Sequence, residues 1–335
     1  MTPENKQTLN TSGTSGRRLQ FDWSWVSNNG GVIALIVILA FNVIVTPNFL
    51  NPQTLFVNIS QVATIAIVAV GMTLVIATGG IDLSVGAVMA LAGAMAPLIF
   101  TSPFAEANPQ VGLVLSIVVP VLVALLCGAF NGFMVSYLNV QPIVATLIFF
   151  ISGRGIALVL TNGNLQTFTN PEFSYLGTGK ILGFPFQGYL VLLIAVVVWW
   201  VVNQTVFGRQ LLAVGGNEKA ARLSGVPVKR VKIGAYVICA GLSGMAGLIV
   251  VAINSASDAA RIGNLMELDA IAAAVVGGAL LQGGKAPIFG AILGAVIIQL
   301  VKYTLLANGV ADEVALIAKA GIIVTAVYLQ QARKE

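Results

Sequence analysis

Few charged side chains interrupt the apolar runs of this chain, and each is a candidate for chemistry. Asp82 follows Gly79-Gly80 between two such runs, and Arg154 lies twelve residues inside another. A charge in hydrocarbon is costly, so these residues call first for a functional reading. Asp82 can cap the next helix, alone or with Ser84. It can equally stand at a helix break and accept hydrogen bonds from a polar solute. Arg154, about 18 Å along its helix at 1.5 Å per residue, is flanked by Gly153 and Gly155, which admit a neighbouring helix. Ion pairing with a carboxylate there is favoured over direct contact with a solute. The neutral Asn58, Gln61, Asn131, Asn254 and Gln299 fall within or at the ends of runs, where such groups bond helix to helix or offer donors and acceptors to a ligand. Asn131 is the foremost of them for either role. Glu267 and Asp269 begin a later run, as helix caps or as part of an outer docking surface. Lys302 and Lys319 sit nearer run ends, from which they can snorkel.

Other chemistries are excluded. The chain has no histidine, which removes the usual general base, the commonest metal ligand and the Ser-His-Asp triad. Cys127 and Cys239 sit in apolar runs without metal-ligand spacing and read as small core residues. A nucleotide-binding P-loop needs glycine, four residues, then Gly-Lys-Ser/Thr. The nearest approach, Ala279 to Ala286, lacks the first glycine and ends in alanine. No catalytic residue, metal or cofactor is expected, and any ATP must be hydrolysed by another polypeptide.

The elements that would hold these residues are membrane spans. Of the 335 residues, 57% are apolar and 9% charged, against about 45–50% and about 25% in soluble domains. Apolar stretches long enough for about 30 Å of hydrocarbon fall near 30–46, 57–78, 84–100, 112–136, 142–161, 188–203, 231–253, 268–282, 286–303 and 313–330. The fold class expected is therefore an all-α polytopic integral membrane protein of about ten transmembrane helices, several broken by glycine or proline. In the glycine-rich last third, broken half-helices can replace full spans, and Gly290-Ala-Ile-Leu-Gly294 permits a close helix crossing. Residues 1–29 are polar and read as a disordered cytoplasmic tail. The first apolar run ends at Thr46-Pro47-Asn48 without a small-residue cleavage site and reads as a retained span. Residues 30–330 form the transmembrane domain, and 331–335 a second cytoplasmic tail. Alternating the spans from a cytoplasmic N-terminus puts twelve basic loop residues inside and two, Lys180 and Arg261, outside. That is the bias of the positive-inside rule, with both termini cytoplasmic.

Charge concentrates in one inner loop, 204–230 with its flanks. Between 203 and 232, Arg209, Lys219, Arg222, Lys229, Arg230 and Lys232 face the single acid Glu218, a surplus equal to the whole chain's +5. Without interleaved aromatics this is a poor nucleic-acid surface, and none is expected as a partner. The loop also reads as a short helix. Asn217 caps it, Glu218 to Leu223 are helix formers, Gly225 stops it and Pro227 forbids continuation. So short a helix needs something to pack against, either the bundle itself or a partner subunit. Small Ala220, Ala221, Ser224 and Gly225 would allow close approach.

Four strings carry a family resemblance. Gly71-Met-Thr-Leu-Val-Ile-Ala-Thr-Gly-Gly-Ile-Asp-Leu-Ser-Val-Gly86 resembles the hallmark of ribose-type permease subunits of bacterial ABC importers. Gln141-Pro-Ile-Val-Ala-Thr-Leu147 with Gly153-Arg-Gly155, Gly215-Gly-Asn-Glu-Lys-Ala-Ala-Arg-Leu-Ser-Gly225, and Val276-Gly-Gly-Ala-Leu-Leu-Gln-Gly-Gly284 follow in family order across about residues 55–300. The likeness is greatest to permeases for furanose sugars such as galactofuranose, with ribose and fructose systems next. The resemblance implies a pore-forming subunit in the bacterial inner membrane that imports a monosaccharide. It also implies two cytoplasmic ABC ATPase subunits, a periplasmic sugar-binding protein, and a second permease copy or paralogue. On this reading Gly216, Asn217, Ala220, Ala221, Ser224 and Gly225 belong to the helix that couples to the ATPase. Asp82, Asn131, Arg154, Asn58 and Gln61 are the candidates along the translocation path. Lys285-Ala286 departs from the arginine and glycine usual in the family, keeping the charge but losing the planar fork. The alternative, an ion-coupled secondary transporter of a small polar solute, needs titratable groups in the membrane, of which this chain has few.

Overall fold

A computed structural model of the chain describes residues 30–311, 313–318, 320, 321 and 324. The expected 1–29 and 331–335 tails, Lys319 and half of the run 313–330 lie outside the described residues. The order is α1 (Gly30–Val45), α2 (Pro52–Ala77), α3 (Val85–Phe100), α4 (Pro103–Ala107), α5 (Pro109–Ser136) and α6 (Pro142–Leu160). Then come α7 (Pro171–Thr178), α8 (Phe186–Gln204), α9 (Val206–Gly216), α10 (Glu218–Leu223), α11 (Val228–Asn254), α12 (Met266–Val276) and α13 (Ile288–Ala307). Two antiparallel pairs of two-residue strands complete the chain: β1 (Gln166–Thr167) with β4 (Ala256–Ser257), and β2 (Lys180–Ile181) with β3 (Phe184–Pro185). Proline opens α2, α4, α5, α6 and α7, where its missing N–H has no helical acceptor to lose.

The architecture is the all-α polytopic membrane protein expected. Among the described residues, α2, α5, α6, α8, α11 and α13 are long and apolar enough to cross a membrane, and α1 and α3 are shorter apolar helices. α2 and α11 are mostly buried and form the centre, with α3 packed against α11. α5, α6 and α8 turn exposed apolar side chains outward, among them Leu126, Ile151, Val159 and Leu193, as helices bathed in lipid do. Small residues set the central contacts. A methyl group on Gly71 would lie 2.9 Å from the Cα of Cys239, and one on Gly247 would overlap the carbonyl of Met89. Such backbone approach is how helices associate when lipid is as apolar as they are. Polar bonds add register: Asn42 of α1 donates to the hydroxyl of Thr304 on α13 at 2.7 Å. Cys127 and Cys239 are free and buried, as core residues.

The apolar run 268–282, expected as a span, is not one. α12 has 11 residues and stops at Val276. Gly277 follows, and Gly278 takes φ +96, a conformation that ends the helix without strain. At 1.5 Å per residue α12 covers about 16 Å, half a bilayer.

Replacing Gly247 by leucine should separate α3 from α11, at about 1–3 kcal/mol or more for overpacking. Gly155→Ala, at a glycine with open space around it, should change little. Thermal unfolding of the detergent-solubilised chain checks both: the first variant should lose several degrees relative to the second.

Candidate functional site

Between α11 and α12 the chain turns back into the bundle. The hydroxyl of Ser257 donates to the carbonyl of Gly93 on α3 at 2.9 Å. Six residues later, Gly263 lies so close to Gly86 that a methyl on either would overlap the other's carbonyl. Gly93 to Gly86 is about 10 Å of helix at 1.5 Å per residue. The segment 255–265 therefore descends along α3, and α12 starts at depth. Ser255 and Leu265, its two ends, have φ values of +49 and +59. Non-glycine residues in this region are strained and persist where surrounding structure holds them.

Arg154 does that holding. Its Nη1 donates to the carbonyls of Ala259 and Ala260, both at 3.0 Å. This corrects the expected ion pair. The guanidinium feels the charge of Glu267, but among the described residues its hydrogen bonds go to backbone. A segment of successive turns at membrane depth leaves carbonyls without helical partners, and a five-donor guanidinium is well suited to satisfy them. Glu267 and Asp269, expected to begin a later run, occupy the first turn of this sunken helix. Glu267 is buried, with Oε2 near the space that Gly86 leaves open.

The descending segment forms one wall of a cavity of about 780 Å³, within the range of small-molecule sites. Gln61 and Thr64 of α2, Asn254 of α11, Asp258 and Asn264 of the segment, Asp269 of α12, and Gln299 and Lys302 of α13 line it, with Ile65, Val250 and Ile262 as apolar wall. The Gln299 amide donates to Gln61 Oε1 across α2 and α13.

Of the residues singled out from sequence, only Gln61 among the five path candidates lines this cavity. Asp82 and Asn131 are brought together elsewhere, fully buried between α3 and α5. Asp82 Oδ1 accepts from the Ser84 N–H at 2.9 Å and its hydroxyl at 2.6 Å, and Asn131 Nδ2 donates to that hydroxyl at 2.8 Å. Asp82 thus supports the turn leading into α3, through a bond to Ser84 rather than to the first turn of the helix. Asn58 is buried in α2, with Nδ2 bonded to the carbonyl of Thr54 at 3.0 Å.

At the opposite end of the bundle, α10 forms as its residues suggest. Asn217 Oδ1 accepts from the Ala220 N–H at 3.0 Å, and Gly225 takes φ +80 just beyond the helix. Glu218 holds α10 to the bundle. Its carboxylate bonds Lys232 of α11 at 2.7 Å and Arg222 at 3.0 Å. The hydrogen bond from Lys232 holds the Glu218 carboxyl below the usual glutamate range. Ala221 is turned inward and buried against the bundle. Ala220, Ser224 and Gly225 are exposed. Beside them Leu223 is 89% exposed, in the chain's most charged region. Its type marked it only as a helix former; the turn of α10 that places it outward was not legible.

Residues 55–327 match the family model described as the permease component of the branched-chain amino acid transport system. The chain belongs to this permease family. It is 38% identical to the ribose import permease of Escherichia coli K12 over 97% of its own length and all of that protein's. To the galactofuranose transporter permease of the same organism it is 35% identical, over 98% and 95% of the two chains. To the fructose import permease of Bifidobacterium longum it is 34% identical, over 93% and 81%. No solved structure matches the permease.

Two outcomes follow for the permease from this geometry. The Glu218 bonds steady α10 fully above the unfolded glutamate pKa, and that contribution fades as pH falls through the lower folded value. Hydrogen exchange across 218–224, corrected for its intrinsic pH dependence, should quicken on acidification, whereas Glu218→Gln should exchange fast throughout. Arg154→Ala should leave the carbonyls of Ala259 and Ala260 without donors and speed exchange in 256–264 at least tenfold, with α2 and α11 unchanged.

Proposed function

We propose that this permease carries a monosaccharide through the cavity between α2, α11, α12 and α13, driven by a separate ABC ATPase that grips α10. The observation that carries the reading is the pairing of the two sites. A polar-lined cavity stands at one end of the bundle, and a short basic helix with an exposed leucine at the other. On this reading the α10 end is cytoplasmic, as the basic surplus of 204–230 demands, and both termini lie on that side of a bacterial inner membrane. Leu223, with small Ala220, Ser224 and Gly225 beside it, presents an apolar knob that fits a groove on the ATPase.

The cavity supports a sugar in particular. Gln61, Asn254 and Gln299 supply neutral donors and acceptors for hydroxyl groups, and the aliphatic wall suits the face of a sugar ring. The full-length likeness to permeases named for ribose, galactofuranose and fructose points the same way. A periplasmic sugar-binding protein would deliver the solute at the cavity end. A second permease copy or a paralogue would stand beside this one, with lipid around the rest. Asp82 and Asn131 act on this path indirectly, by fixing the entry to α3, and Arg154 by holding the wall.

Uptake by the complete importer in proteoliposomes tests the reading. Gln61→Ala and Gln299→Ala should each raise the half-saturating concentration of binding-protein-delivered sugar severalfold with ATP hydrolysis retained. Leu223→Asp should abolish co-purification with the ATPase, with the spans still inserted. Uptake that persists without ATP and follows an ion gradient would overturn the reading in favour of a secondary transporter.

A further inference from the structure

Three of the glycine-bearing strings noted in the sequence, far apart in the chain, meet at a single point beside α10. Gly79 lies two residues past the end of α2, Gly215 in the last turn of α9 just before α10, and Gly283 and Gly284 in the link between α12 and α13. The Gly284 N–H donates to the carbonyl of Ala77 at 2.9 Å. A methyl on Gly215 would overlap that same carbonyl and crowd the Gly284 nitrogen. One on Gly283 would lie 2.8 Å from the Gly215 oxygen and 2.9 Å from the Gly79 nitrogen. Gly79, Gly283 and Gly284 also take φ values of +80, +92 and +83, so a side chain is strained by conformation at all three and, at Gly283, excluded by space as well. The contacts are backbone on backbone, with no flexible side chain between them to absorb a displacement.

What this junction is attached to gives it meaning. α12 and α13 form a closely packed hairpin: Gly277 presses on Gly290, and Gly294 on the carbonyl of Ala273. The link at its tip is in the junction, and both arms reach the cavity, α12 through Met266 and Asp269, α13 through Gln299 and Lys302. α2 runs from the same junction to Gln61 and Thr64 on the cavity's other side. Helices transmit motion along their axes as rigid bodies, and packed interfaces switch between discrete arrangements rather than stretching.

We propose that Gly215, Gly283 and Gly284 are positioning residues for transport: their backbone junction passes the movement of α10 to the α12–α13 hairpin and to α2, and so opens and closes the cavity. This rests on the reading of α10 as the ATPase contact and adds the route by which that contact reaches the solute. It assigns the broken α12 a purpose, as a short strut whose head lines the cavity and whose foot stands beside the driven helix.

The test uses the assembled importer with a fluorophore on Leu268→Cys, an exposed position near the head of α12 that does not line the cavity, labelled selectively because Cys127 and Cys239 are buried. In the otherwise unchanged complex, ATP binding should alter the emission of the label. Gly284→Ala should keep ATPase association and hydrolysis within about twofold while uptake falls at least tenfold and the ATP-dependent emission change disappears. An unaltered emission change, or full uptake, in that variant would overturn the proposal. Should Gly284→Ala not assemble, the first measurement still decides: ATP-driven uptake with a silent label at Leu268 overturns the junction's role while leaving the ATPase reading standing. Uptake that needs no ATP removes the ATPase reading itself, and the proposal with it.

Discussion

In hydrocarbon, a backbone N–H or C=O without a partner costs several kcal/mol, because no water stands ready to replace it. Everything unusual in this molecule is arranged around that constraint. Continuous helices such as α2 and α11 satisfy it within themselves. The chain then departs from it between Ser255 and Ile288, where a descending segment, a half-length helix and a glycine-rich link stand in place of a span. Each departure is supplied with partners. Arg154 reaches across from α6 to two carbonyls, β4 pairs with β1, Ser257 bonds to Gly93, and Gly284 bonds to Ala77. The break is therefore built, and it is beside this break that the cavity forms.

Much of this was legible in the residues. Runs of apolar side chains gave the membrane class and most helix positions, because a span must be both long and apolar. Asn217, the helix formers after it and Gly225 gave α10 nearly to the residue, since capping is local chemistry. What was not legible depends on depth. The run 268–282 has the hydropathy of a span, and only packing against Gly290 and Gly294 shows that its second half is link rather than helix. Arg154 announced itself by its charge. Its partners did not, because a carbonyl left over by irregular backbone has no signature of its own in a sequence.

Asp82 illustrates a different limit. Its position after a glycine pair suggested two roles, and both required only an acceptor at a helix break. In this chain the carboxylate is enclosed with Ser84 and Asn131 and takes no part in the cavity wall. Gln61, a path candidate from sequence, and Gln299, left open between helix-to-helix bonding and ligand contact, both reach the cavity, and they bond to each other at its edge. Periodicity says which residues share a helix face. It does not say which faces enclose empty space.

The outward leucine of α10 has a consequence for how the protein must be made. The capped, salt-bridged turn keeps this apolar knob outward, since the bonds from Glu218 that favour the turn also keep the knob on show. A copy synthesised in excess would carry an adhesive surface on its watery side for as long as nothing covered it. On the proposed reading, balanced production of the chain with the subunit that shields that leucine is then a condition of its persistence, written into a single turn of helix.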